Sequence, residues 1–149
     1  MEQPVIISIK STQKPTGADQ DEMELVTQGM LYGNQEEGYT LTYEETSLTG
    51  LEGTTTTFLV KPDNITLLRV GTINNEMVFK VGEKHVSLYQ TPYGGLLFGV
   101  NTRKAEADLS EKGGHISIRY LMEMEHETVS ENSFEIQVSN PELPQQIII

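Results

Sequence analysis

The sequence predicts a single all-β domain whose antiparallel strands close, or nearly close, into a barrel. The first observation is an alternation of apolar and polar residues with a period of two, which recurs along the 149-residue chain and marks half-buried strands. The second is a series of short turn signals containing Gly, Pro, Asn or Asp that separate these runs at intervals of about 8–12 residues. A β-sandwich fits the same pattern. Closure is favoured because it removes the exposed edges that many long strands would leave.

The elements follow from this alternation in chain order. The clearest case is residues 115–126, where Ile116, Ile118 and Tyr120 fall on one face and Ser117 and Arg119 fall on the other. The segment Thr102–Glu111 would fit a short helix, but its alternation favours a strand. We predict strands at residues 4–10, 22–32, 38–46, 55–61, 64–70, 76–81, 84–91, 96–102, 104–110, 115–126 and 132–139.

Two segments fall outside the strand pattern. Thr12–Gln20 is polar and contains a proline and a glycine, which predicts a mobile loop between the first two strands. We expect residues 1–140 to form the barrel domain and residues 141–149 to form a C-terminal tail. This tail has two prolines and ends in Ile147–Ile149, which predicts a segment that is either disordered or paired with a strand edge.

Composition and charge exclude several classes of function. The chain has no cysteine, so disulfides, thiolate nucleophiles and cysteine-bound metals are absent. The formal net charge of −12 predicts repulsion from phosphate backbones and anionic lipid headgroups, so we expect neither a nucleic-acid partner nor a membrane partner. No stretch approaches the roughly 20 apolar residues of a membrane span, and the N-terminal residues do not resemble a secretory signal. We therefore expect a cytoplasmic protein.

The strand near residues 38–46 carries the first candidate functional group. Glu44 and Glu45 are adjacent, so they point to opposite faces, and Glu45 shares the face of Tyr43. An inward carboxylate must find a partner or become protonated. Arg69 and Arg119 are the arginines at strand positions that could supply one. Two interpretations remain open, namely a buried ion pair and a polar anchor for a ligand.

Other motifs have weaker functional interpretations. The segment Gly50–Thr54 is either a turn with positive φ at its glycines or an anion-binding loop, and it lacks the lysine and helix of a phosphate loop. Tyr93 lies in the turn Thr91–Gly95 and is either a rim residue or a lid over a barrel mouth. Tyr89 and Tyr120 are among the aromatic residues inside strands, which build either an ordinary core or a ligand pocket.

No catalytic or metal motif is present in the sequence. The three histidines, His85, His115 and His126, do not have the spacing of a metal-binding motif. No nucleophile elbow is present, and no sequence feature brings a catalytic group together with its base. We expect no metal and no cofactor, and the sequence favours a binding or structural role over an enzyme without deciding between them.

Eight short motifs follow one another in a particular order and spacing. They are Tyr43-Glu44-Glu45, Thr49–Thr57, Arg69-Val70-Gly71, Met77-Val78-Phe79, Tyr89–Gly94, Gly99–Thr102, Ile116–Tyr120 and Ser130-Glu131-Asn132. This order and spacing resemble those of the YwiB-like family of small bacterial proteins, and the resemblance extends over residues 4–139. The resemblance implies a calycin-like, that is lipocalin-like, barrel of about 8–11 strands. It implies no reaction, because the family is uncharacterised.

Three functional hypotheses follow. The first is a non-catalytic barrel that binds a small, largely apolar ligand in its interior, with polar groups at one mouth. The second is a structural or interaction protein that forms a homodimer through strand edges. An enzyme is the third and least favoured. The candidate ligand-binding residues are Tyr43, Glu45, Arg69, Tyr89, Tyr93, Arg119 and Tyr120.

Overall fold

A computed structural model describes residues 2–141, and these residues form an all-β barrel. The strands are β1 (Gln3–Pro15), β2 (Asp21–Asn34), β3 (Gly38–Glu44), β4 (Thr54–Val60), β5 (Ile65–Gly71), β6 (Asn74–Phe79), β7 (Lys84–Thr91), β8 (Gly94–Ser110), β9 (Gly113–Met124) and β10 (Glu127–Ser139). Each strand is antiparallel to the next one along the chain, and β1 also pairs with β10. The predicted closed barrel is therefore confirmed, with ten strands in the described part of the chain.

The pairing of β1 with β10 closes the sheet. It runs through ten residue pairs, from Ile6 opposite Ser139 to Pro15 opposite Ser130. A strand at a sheet edge would leave its backbone N–H and C=O groups unpaired, and this ladder pairs them instead. Closure also fixes which side chains face inward, because a shift of one residue in register would move every side chain of a strand to the other face.

Several predicted bounds differ from the structure, and the last strand begins at Glu127 rather than at residue 132. The predicted loop at Thr12–Gln20 is wrong in its first part, because β1 continues to Pro15. The ladder to β10 stabilises this extension, and the hydroxyls of Thr12 and Ser133 share a hydrogen bond between the two strands. The strands predicted at 96–102 and 104–110 are a single strand, β8, with a register shift between Thr102 and Lys104.

The middle of the barrel is filled by side chains. An aromatic cluster reaches across it. The Phe58 and Phe134 rings meet edge to face at 6.0 Å, and Tyr120 lies 4.9 Å from Phe79 and 6.2 Å from Phe134 between ring centroids. Aliphatic side chains complete the core, and the fully buried ones include Val5, Ile7, Leu31, Leu41, Leu67, Val100, Ile116, Ile118 and Ile136. We call the four rings the aromatic layer.

The shortest ladder of the barrel lies between β6 and β7. Only two residue pairs join these strands, at their Asn74 and Gln90 ends. Side chains bridge the rest of this seam. The Ser87 hydroxyl donates to the Glu76 carbonyl at 2.6 Å, and the Val78 N–H donates to Nδ1 of His85 at 3.4 Å.

The predicted tail is mostly beyond the described residues. Residues 142–149, including Ile147–Ile149, lie outside them, so the prediction for this tail stays a prediction. Within residues 2–141 there is no helix long and apolar enough to cross a membrane.

Candidate functional site

The interior of the barrel differs in chemistry between its two ends. We call the end where β3 finishes and β4 begins the polar end, and the opposite one the apolar end. The apolar end is lined by inward side chains such as Val60, Ile65 and Leu109, around a pocket of about 190 Å³. Gln35 spans this end, because its Nε2 donates to the Leu109 carbonyl at 2.7 Å. This hydrogen bond joins the turn between β2 and β3 to β8 beside the pocket, whose lining also includes Asn34, Lys61 and Asn64.

A row of inward side chains crosses five strands near the polar end. Tyr43 of β3 lies opposite Thr56 of β4, and Thr56 lies opposite Arg69 of β5. Arg69 lies opposite Asn75 of β6, which in turn lies opposite Tyr89 of β7. Directly paired residues on one face of a sheet contact each other, so this register brings the five side chains into one continuous polar row.

Glu45 follows β3 and is buried, as the alternation predicts. The Thr56 hydroxyl donates to its Oε1 at 3.0 Å, and the Thr49 hydroxyl donates to its Oε2 at 2.8 Å. No lysine or arginine nitrogen of the described residues lies within 4.0 Å of a Glu45 oxygen. Of the two interpretations of Glu45, the buried ion pair is not formed within residues 2–141. Hydroxyl donors take its place because the Thr49 loop and β4 bring them to both carboxylate oxygens.

Most polar side chains that face the interior near this end satisfy one another. The Ser87 hydroxyl donates to Oδ1 of Asn75 at 2.8 Å, and Nδ2 of Asn132 donates to the Ser130 hydroxyl at 2.9 Å. All four of these residues are buried. Such pairing is the rule for buried polar groups, because an unpaired one costs about 1–3 kcal/mol.

Arg69 and Thr102 are the exceptions. Nε of Arg69 and Oγ1 of Thr102 are the two buried side-chain polar atoms of the described residues that have no hydrogen-bond partner. Thr102 lies opposite Tyr120 in the β8–β9 ladder. Arg69 as a whole is only partly buried. Its guanidinium is therefore a cationic donor that faces the interior from the polar end.

The electrostatics of two tyrosines locate the Arg69 charge. Burial raises the pKa of the Tyr43 hydroxyl well above its usual range, the Glu45 carboxylate raises this pKa further, and the Arg69 charge opposes both effects. Burial also raises the pKa of Tyr120 to about 12, again against the Arg69 charge. Arg69 thus acts on tyrosines from two different strands, β3 and β9, inside the barrel.

The structure brings five of the seven candidate residues to the interior and leaves two outside. The interior ones are Tyr43, Glu45, Arg69, Tyr89 and Tyr120. Arg119 is exposed on the outer face of β9, since it alternates with the buried Tyr120. Tyr93 is 98% exposed at the tip of the β7–β8 turn and covers nothing in the described structure.

Sequence reasoning missed the polar partners of these residues. Thr56, Asn75, Ser87, Thr102 and Asn132 are all buried, but none was singled out as a candidate. Strand alternation contained part of the signal, because Thr54 and Thr56 share a face with Phe58. The partners across strands depend on register, which the sequence does not state.

The backbone of the Gly50–Thr54 segment agrees with its interpretation as a turn. Gly50 and Gly53 have φ values of 75° and 87°, which is the conformation that the turn interpretation of Gly50–Thr54 requires. No group of three or more His, Cys, Asp or Glu side chains able to hold a metal ion occurs among residues 2–141.

The fold and its interior define a closed antiparallel β-barrel with one polar end. The chain belongs to the family described as a domain of unknown function, DUF1934, whose model matches residues 7–136. It is 30% identical over 129 residues to the uncharacterized beta-barrel protein YwiB of Bacillus subtilis (strain 168), covering 84% of this chain and 88% of that one. The crystal structure of the ywiB protein from Bacillus subtilis is similar, with a TM-score of 0.82 at 24% identity over 93% of this chain and 92% of that one. The resemblance found in the sequence is confirmed.

The hydrogen bond from Thr56 to Glu45 gives a stability prediction. Thr56→Val keeps the shape of the side chain but removes a donor to a buried carboxylate, so we expect the free energy of unfolding to fall by about 1.5–3 kcal/mol. Thr55→Val is the matched control, because Thr55 donates to the exposed Glu44 at 2.9 Å. Urea denaturation of both variants measures the difference. Equal losses would contradict the role of Thr56.

The raised pKa of Tyr120 gives a pH prediction. An unfolded tyrosine ionises near pH 10, whereas Tyr120 in the folded protein ionises only near pH 12. As the pH rises, the unfolded state therefore releases this proton first. The contribution of Tyr120 to the free energy of unfolding is fully present below pH 10. It is lost as the pH rises towards 12, which lowers the stability by about 2–3 kcal/mol. Unfolding monitored at several pH values should show this slope. Tyr120→Phe should make the slope shallower, with the remainder due to Tyr43, whose pKa is also raised, and an unchanged slope in that variant would contradict the assignment.

Proposed function

We propose that the protein is a non-catalytic binding barrel that takes a small, largely apolar ligand at its polar end. The observation that supports this most directly is the combination of side chains at the polar end. Leu96 is 49% exposed there and Tyr89 is half-buried, close to the buried polar residues of the inward row. Partly exposed apolar groups beside a few fixed polar ones are typical of small-molecule sites.

The aromatic layer limits the size of such a ligand. Phe58, Phe79, Tyr120 and Phe134 fill the middle of the barrel, so a ligand entering from the polar end would stop above them. We therefore expect a compact ligand, with one or two rings or a short chain. The tyrosines and methionines on the inner face suit its apolar part, because their side chains pack against varied shapes.

A fluorescent probe tests this function. A neutral naphthalene derivative should bind saturably with one molecule per protein, and Tyr89→Ala should weaken binding roughly threefold to tenfold by removing apolar contact. Tyr32→Ala is the matched control, since Tyr32 lies exposed on β2. Absence of saturable binding, or equal effects of the two variants, would contradict binding at the polar end.

A homodimer is the second candidate, and one surface favours it. Val86, Leu88 and Leu97 expose 65%, 44% and 63% of their surfaces on neighbouring strands β7 and β8. Gly99 lies opposite Val86 and adds no side chain, which leaves a shallow pocket between Val86 and Leu97 on this face. All ten described strands are paired on both sides, so we propose association through this face rather than through strand edges.

Sedimentation at several concentrations tests the dimer. The protein should approach twice its monomer mass as the concentration rises, and Leu97→Lys should shift the equilibrium towards the monomer by placing a charge in the apolar face. Val26→Lys provides the comparison, because Val26 is 69% exposed on the distant strand β2. A protein that stays monomeric up to about millimolar concentration would reject this candidate, because specific dimers dissociate only at lower concentrations than that.

A further inference from the structure

The Arg69 side chain carries one of the two buried polar atoms of residues 2–141 that have no hydrogen-bond partner. Its Nε is buried without a hydrogen-bond partner, and none of its nitrogens forms an ion pair with a described residue. A guanidinium carries five N–H donors in a planar fork and accepts no hydrogen bonds, so only an acceptor can satisfy it. Burial of such a group next to packed apolar side chains is costly unless it meets one.

The neighbours of Arg69 form their hydrogen bonds with other groups. In its register row, the Thr56 hydroxyl donates to Glu45, and Oδ1 of Asn75 accepts from Ser87. Both oxygens of Glu45 accept from threonine hydroxyls, with no arginine nitrogen within 4.0 Å. None of these neighbours accepts from Nε of Arg69, which is left without a partner among the described residues.

A second unpartnered atom lies in the same interior. Oγ1 of Thr102 is buried and has no hydrogen-bond partner, and Thr102 lies opposite Tyr120, whose hydroxyl the Arg69 charge influences. A hydroxyl can donate to an oxyanion as a guanidinium does. The interior therefore contains two buried polar atoms without a partner, one on β5 and one on β8, and Arg69 as a whole is only partly buried.

We infer that the polar end binds the oxyanion of a compact ligand, with the Arg69 guanidinium as its anchor. This inference rests on the proposed binding function and adds the chemical class of the ligand, a carboxylate or a phosphate. Guanidinium pairs with both groups through two parallel hydrogen bonds, which are stronger than bonds between neutral groups. The net charge of −12 does not prevent this, because charges beyond about 10 Å are screened at 0.1 M salt.

Calorimetric titration of the full chain with three probes tests the inference. Benzoate supplies a carboxylate on a compact ring, benzyl alcohol supplies the same ring without charge, and inorganic phosphate supplies the other oxyanion. We expect benzoate or phosphate to bind the wild-type protein and to lose roughly tenfold to a hundredfold in affinity in Arg69→Gln. Arg119→Gln makes the same charge change on the outer face and should leave both affinities unchanged.

The outcomes separate the inference from the proposed function. If benzyl alcohol and benzoate bind equally well and Arg69→Gln affects neither, the oxyanion inference is overturned, while the proposal of a binding barrel stands. No binding of any of the three probes, together with no binding of the neutral fluorophore, would overturn both. Binding of phosphate alone, lost in Arg69→Gln, would support the inference with phosphate as the group.

A measurement on the wild-type protein covers the case in which Arg69→Gln does not fold. Backbone amide resonances of Thr56, Arg69 and Asn75 should shift on addition of the bound oxyanion, because these residues are paired in one row. Amides of Val26 and Arg119, on the outer surface, serve as the reference. Shifts confined to the outer surface would overturn the inference.

Discussion

The pairing of β1 with β10 is the constraint on which the rest of the structure depends. Ten residue pairs close the sheet, and closure forces the side chains of every strand to alternate between one enclosed interior and one outer face. The alternation then decides the environment of each charge. Arg69 and Glu45 face inward, while Arg119 faces outward although it also lies on a strand.

The interior that closure creates is uneven along the barrel. The aromatic layer and the aliphatic side chains stabilise its middle through buried apolar surface, which contributes about 25 cal/mol per Å². Near the polar end the same inward positions carry hydroxyls, amides and two charges. Glu45 is stabilised there by Thr49 and Thr56, whereas Nε of Arg69 is left unpaired. Native proteins retain such an imbalance mainly where a group has a further role.

The sequence alone predicts much of this fold but only part of the site. The period of two identified nearly all the strands and the inward position of Glu45, because alternation is a local property. It missed the extension of β1 to Pro15 and the continuity of β8 past Thr102, since both depend on pairing with distant strands. The donors to Glu45 were missed for the same reason, because register brings Thr56 beside Tyr43 and Arg69.

The exchange rate of the Arg69 Nε–H proton with water tests the central claim most directly. The chain has three arginines, and the other two, Arg103 and Arg119, are exposed. Nitrogen-15 NMR of the arginine side chains, with Arg69 assigned through Arg69→Lys, should show one Nε–H that exchanges much more slowly than the other two. Equal, fast exchange of all three protons would place Nε of Arg69 in solvent and contradict its burial.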